Sequence, residues 1–184
     1  VQGYVSSNIE IDLWLPTKDW NGKFLQVACA GRCGYLGTDQ GACNDPLRRG
    51  YACIASDAGT KPDVVWAHNN IQGEINYGYR GIHVSTLAGK AIAQKFYSDT
   101  PNYSYLLGCS GGGRQGLMAA QYFPWEYDGI IAGAPAISMS ELNIRYAWTL
   151  HVSEDEKGNA ILNNDDLKLV NNAVIDQCDM DDGV

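Results

Sequence analysis

The chain is poor in histidine, in basic clusters and in long apolar runs, and each shortage narrows what it can do. Three histidines, His68, His83 and His151, occur in 184 residues, so imidazole chemistry has few candidates. Lys and Arg number 13 against 21 Asp and Glu, for a net charge of −8, and no basic run of five or more appears. That balance argues against nucleic acid or an anionic membrane as a partner. No segment approaches the roughly 18 consecutive apolar residues of a bilayer span. The opening residues, VQGYVSSNIE, lack a charged-then-apolar leader, and any secretory signal is expected to have been removed.

Cysteine, by contrast, is plentiful. Six are present, and Cys29, Cys33, Cys43 and Cys53 crowd into 25 residues. They form no pair of C-x-x-C motifs, and no histidine stands at metal-ligand distance from them, so disulfides in an exported protein are favoured over zinc. The expected bridges are Cys33–Cys43, closing a loop, and Cys29–Cys53, joining two strands predicted to run alongside each other. The triplet Asn102-Tyr103-Ser104 is a glycosylation sequon and suits the same compartment.

At 184 residues and 45% hydrophobic, the chain suffices for one core and part of a second domain. Residues 8–15 alternate apolar and polar and end at Pro16, which predicts a half-exposed strand. Short apolar runs at 23–29, 51–56, 105–107 and 129–132 read as buried parallel strands. Apolar residues between Tyr79 and Tyr97 recur at helical spacing, as do those between Arg114 and Tyr122. Strand and helix alternating in this order imply a mainly parallel sheet with helices on its faces. Beyond Pro135 the composition changes: 154–164 is polar and loop-like, and 165–177 predicts a helix ending in an acidic cluster. A boundary is placed near Ala136, giving segments 1–136 and 137–184.

One stretch carries chemistry. In YLLGCSGGGRQG a strand ends, and Gly108-Cys109-Ser110-Gly111-Gly112 forms G-x-S-x-G before a helix. This is the pattern of the nucleophile elbow of α/β-hydrolases, in which a serine at positive φ stands clear of the sheet and flanking glycines let strand and helix approach. The helix start favours developing negative charge. A phosphate loop fits less well, because no Lys-Ser/Thr pair follows the glycines. Of the histidines, only His151 follows Ser110. His83 reads as a helix-packing residue and His68 as part of a solvated loop.

The segments DWNGKFLQV, RRGYACIASDAGT, INYGYRGIH, GCSGGGRQGLMAAQYFP, YDGIIAGAPA and CDMDDG, in that order, resemble the tannase and feruloyl esterase family. The resemblance implies an α/β-hydrolase fold with the beginning of an inserted lid domain, and a secreted serine esterase. Its substrate would be an aromatic (feruloyl or galloyl) ester from plant polysaccharide or polyphenol. Ser110 would be the nucleophile. The oxyanion would be held by the N–H groups of Gly111 and, by analogy with the family's Gly-Gly loop, Gly31. Family members often carry a larger residue where Gly111 stands, so a roomier entrance is expected. In this family the cysteine before the nucleophile bonds to one beside the catalytic histidine, which implies that Cys109 positions Ser110. No histidine here has such a neighbour, so the acid and histidine are expected beyond residue 184, in the remaining part of the same chain. Residues 1–184 alone should then be nearly inert. The acidic end resembles the start of the family's lid calcium loop, with Asp179, Asp182 and the Val184 carbonyl as ligands of a structural Ca2+. The alternative is a disabled domain that binds phenolic or polysaccharide ligands.

Overall fold

The computed structural model describes residues 1–6, 8–36, 41–63 and 65–179. The chain divides into two compact units, Val1–Ile137 and Ser138–Val184.

The first unit is built on β1 (Gln2–Val5), β2 (Ile9–Trp14), β3 (Lys23–Val27), β4 (Ala52–Ser56), β5 (Tyr103–Cys109) and β6 (Gly129–Gly133). They form one sheet in the order β1-β2-β4-β3-β5-β6. The last four strands pair in parallel, while β1–β2 and β2–β4 are antiparallel. Its helices are α1 (Asn44–Arg48), α2 (Ile71–Ile75), α3 (Gly81–Tyr97) and α4 (Gly111–Tyr122), with a π-helical turn at Asn76–Arg80 leading into α3.

Two expectations about strands needed revision. The short β1 was not foreseen, because QGYV shows too little pattern to register. Its presence takes the sheet edge and encloses β2, where Ile9, Ile11 and Leu13 are buried together with Asp12; the strand expected to be half exposed is nearly covered. The core proper gathers Ile9, Ile11, Leu13, Phe24, Ala52, Ile54 and Ala93. A polar seam ties α3 to the sheet: the buried Gln26 Oε1 accepts from Thr86 Oγ1 at 3.1 Å, and Thr86 is 2.7 Å from the Tyr127 hydroxyl.

The cysteine pairing is different from that expected. The bridges are Cys29–Cys33 and Cys43–Cys53, with Cα separations of 5.1 and 5.7 Å. Strand register explains it. β3 and β4 do run side by side, but Cys53 lies opposite Leu25, four residues short of Cys29. At ~3.3 Å per residue that offset is about 13 Å, more than twice the span a disulfide bridges. Cys43, at the start of α1, comes down on β4, and Cys29 closes a tight turn with Cys33. Cys109 and Cys178 are exposed free thiols.

The second unit holds α5 (Met139–Val152) and α6 (Asn164–Cys178). Between them a polar loop closes on Asp155, whose Oδ1 accepts the N–H groups of Lys157 and Asn159 at 2.8 and 2.9 Å. These bonds hold the Asp155 carboxyl below the ordinary carboxylate range. A capping box starts α6: Asn163 Oδ1 accepts from the Asp165 and Asp166 amides, and Asp166 Oδ2 accepts from the Asn163 amide. No residue from Ser138 to Asp179 is buried.

Candidate active site

β5 alternates buried residues, Ser104, Leu106 and Gly108, with residues on its other face. It then ends at Ser110, which takes φ 57° and ψ −115° before α4 begins. A non-glycine residue in that region is strained, and its neighbours hold it there. The Ser110 amide donates to the Gly133 carbonyl at 3.0 Å, and the Ser110 carbonyl accepts from the Arg114 and Ala136 amides, each at 3.0 Å. Close packing demands the flanking glycines. A β-carbon on Gly108 would stand 2.3 Å from the Gly112 oxygen, and one on Gly113 2.2 Å from the Gly133 oxygen. The result is an exposed serine whose hydroxyl has no hydrogen-bond partner among the described residues.

As the first residue of α4, Gly111 has an amide with no acceptor inside its own helix. Gly31 follows β3, the strand beside β5, and the fold brings the two glycines together. A β-carbon on Gly111 would lie 2.4 Å from the Gly31 oxygen and 3.2 Å from its nitrogen. This corrects the expectation of a roomier entrance, since the space that a side chain at position 111 would take is filled by the Gly31 backbone. Gly31 itself is exposed at φ 58°, and its amide has no acceptor among the described residues.

The three histidines lie on three different segments. His83, on α3, stacks on Phe123 with ring centroids 4.1 Å apart and meets the buried Glu126 carboxylate through Nδ1. Phe123 follows the last residue of α4, whereas Ser110 precedes its first. At 1.5 Å per residue, twelve residues of helix separate them by about 18 Å. Burial pushes the Glu126 carboxyl up, with the His83 charge opposing, and burial lowers the Lys90 ammonium that donates to the Glu126 carbonyl. His68 lies in an exposed turn, 3.5 Å from the Asn69 side-chain amide. His151 belongs to the second unit, in the last turn of α5.

Of the residues expected to bind calcium, Asp179 caps the C-terminus of α6, its amide donating to the Ile175 carbonyl at 2.9 Å. Asp182 and Val184 lie outside the described residues. Among the described residues no group of three or more His, Cys, Asp or Glu could hold a metal ion. A groove of about 670 Å³ runs along β3, β5 and β6 beside α1, lined by Leu25, Pro46, Tyr51, Tyr105, Leu107 and Ile131 among others. Ser110 does not line it.

Several residues at the site were not singled out from the sequence. Gln115, 2% exposed, donates from Nε2 to the Cys29 carbonyl at 3.0 Å. Arg114 donates to the carbonyls of Tyr77 and Gly78 and lies 4.3 Å over the Tyr77 ring. Nothing in their spacing distinguishes them from ordinary helix residues; only the packing does.

A mostly parallel sheet in this strand order, with a tight serine turn after its fifth strand, has the α/β-hydrolase fold. The chain belongs to the tannase and feruloyl esterase family, whose model it matches over residues 2–184. It is 33% identical to the mono(2-hydroxyethyl) terephthalate hydrolase of Piscinibacter sakaiensis, over 100% of this chain and 34% of that protein. It is 35% identical to a probable feruloyl esterase of Arthroderma benhamiae, over 83% of this chain and 30% of that protein. The crystal structure of feruloyl esterase B from Aspergillus oryzae superposes with a TM-score of 0.81 at 32% identity, covering 100% of this chain and 36% of that one. The chain thus spans about a third of the length of the curated relatives it matches.

Proposed function

We propose that the protein is a serine carboxylic-ester hydrolase acting on esters of aromatic acids. The observation that carries this reading is the exposed Ser110, held at positive φ against two converging glycine backbones. The Ser110 oxygen attacks the ester carbonyl carbon while its proton passes to a base. The carbonyl oxygen becomes an oxyanion that the Gly111 and Gly31 amides stabilise. The alcohol leaves with a proton, and water then cleaves the acyl-enzyme to release the acid and restore the serine. The base and the carboxylate that orients it are assigned to chain outside residues 1–184. Support comes from the packing of His83, on α3, against Phe123 at the end of α4 remote from Ser110, and from the longer relatives. Their names mention feruloyl and terephthalate esters, both of aromatic carboxylic acids. Secretion fits the two disulfides, and among the described residues no helix is long and apolar enough to cross a membrane. A structural calcium site on Asp179, Asp182 and Val184 rests on family resemblance alone. Chelation that left the melting temperature of the whole protein unchanged would dismiss it.

The test is labelling of the whole protein by a fluorophosphonate together with steady-state hydrolysis of an aryl ester. Ser110→Ala is expected to abolish labelling and to lower kcat by about 10³-fold or more. Retained hydrolysis in that variant would refute the assignment. A wild-type protein that binds phenolic acids but neither reacts with the probe nor turns over would point to the disabled, ligand-binding reading.

A further inference from the structure

We propose that Gln115 and the Cys29–Cys33 disulfide are positioning groups which together hold the Gly31 amide in place beside Ser110; the proposal rests on the reading of Ser110 as nucleophile. The turn between β3 and the following segment is an improbable backbone. Gly31, Cys33 and Gly34 all take positive φ, at 58°, 62° and 89°. Cys33 has a β-carbon, so its conformation is unfavourable unless its surroundings over-determine it.

They do so from both ends. On one side, Gln115 Nε2 reaches from α4 to the Cys29 carbonyl at 3.0 Å and contacts the two bridge sulfurs at 3.0 and 3.2 Å. The carbonyl fixes which end of the amide faces the turn, since only the nitrogen can donate. On the other side, the Gly34 amide donates to the Asp57 carbonyl at 3.0 Å, and Thr60 Oγ1 donates to the Arg32 carbonyl at 3.1 Å. Cys29 and Cys33 are buried against Ala58 and Tyr77. Between these anchors only the tip bearing Gly31 is left exposed.

Gln115 lies on the same helix that Ser110 precedes, barely more than a turn further on. One rigid element therefore sets the nucleophile and the turn that faces it. An oxyanion donor is effective when it already points at the developing charge and needs no reorganisation. A turn closed by a disulfide and clamped to the nucleophile's helix meets that condition. A turn free to move would present the same amide only part of the time.

The experiment uses the whole enzyme and two variants. Gln115→Met keeps the side-chain length and removes the donor; Cys29→Ala/Cys33→Ala removes the staple. Active serines are counted by burst titration with a nitrophenyl ester, so that unfolded molecules drop out of kcat. Each variant is expected to lose about 10- to 100-fold in kcat per active serine, part of the full effect of an oxyanion donor, with KM within about twofold. Affinity for an aryl trifluoromethyl ketone, which binds as a tetrahedral oxyanion, should fall by the same factor, while affinity for the neutral amide analogue stays constant. A reduced count of active serines with wild-type kcat in those that remain would show a merely structural role and overturn the proposal. So would a raised KM at constant kcat. Should neither variant yield countable sites, Thr60→Val loosens the turn from its other end and is read in the same way. Failure of the esterase reading looks different: Ser110→Ala would keep its activity.

Discussion

The two units of the chain are built on opposite principles. In Val1–Ile137 a six-stranded sheet closes over Phe24, Ile54 and Leu13, each fully buried, and even glycines are fitted against backbone atoms. In Ser138–Val184 the helices have no buried side chain among the described residues. Ile144, Trp148 and Leu150 are 68%, 64% and 66% exposed. What orders this second unit locally is hydrogen bonding: the Asp155 loop and the Asn163 capping box. Long-range burial is the dominant feature of the first unit, and short-range polar hydrogen bonds are that of residues 138–179.

Substitution tests that contrast. Phe24→Ala in the 184-residue chain is expected to cost about 3–5 kcal/mol in urea denaturation, whereas Ile144→Ala should stay within about 0.5 kcal/mol. Equal effects would erase the distinction. Gly113→Ala comes next, at about 1–3 kcal/mol, because its methyl group meets the Gly133 carbonyl and backbone must move. Asn163→Ala should cost about 1 kcal/mol through lost capping, seen as faster amide exchange confined to the first turn of α6. The smallest effect is a pH dependence. Asp57 accepts the Glu10 and Gly59 amides on Oδ1, yet burial raises its carboxyl above the ordinary 3.8. The folded state therefore holds this proton more tightly than the unfolded chain. Relative to Asp57→Asn, the wild type should gain stability as pH falls through the raised folded value toward about 3.8 and level off below it. A difference that shrinks on acidification would reverse the assignment.

The sheet and its elbow were legible in the sequence because both depend on local signals: short apolar runs, and glycines where strand and helix must touch. Cysteine pairing was not, because it is set by the register of β3 on β4, which no spacing along the chain encodes. Helix α5 escaped notice for another reason. Ile144, Tyr146, Trp148, Leu150 and Val152 fall on every second residue, a strand-like pattern in a segment that nonetheless coils. At the site, the serine declared itself, and Gly31 could be chosen only by resemblance. The hydrogen bonds of Gln115 and Thr60 come from a contact between segments far apart in the chain.

That distance has a consequence for how the protein acquires its site. Gly31 and Gly111 are neighbours because β3 and β5 pair, although β4 and α3 intervene in the chain. Their encounter closes a loop of some 80 residues, and such non-local pairings are slow steps in folding. The pairing of β5 with the edge of β3 is thus the long-range contact on which the serine and the turn that faces it both depend. A chain synthesised only as far as residue 100 holds one half of the site and no means of using it.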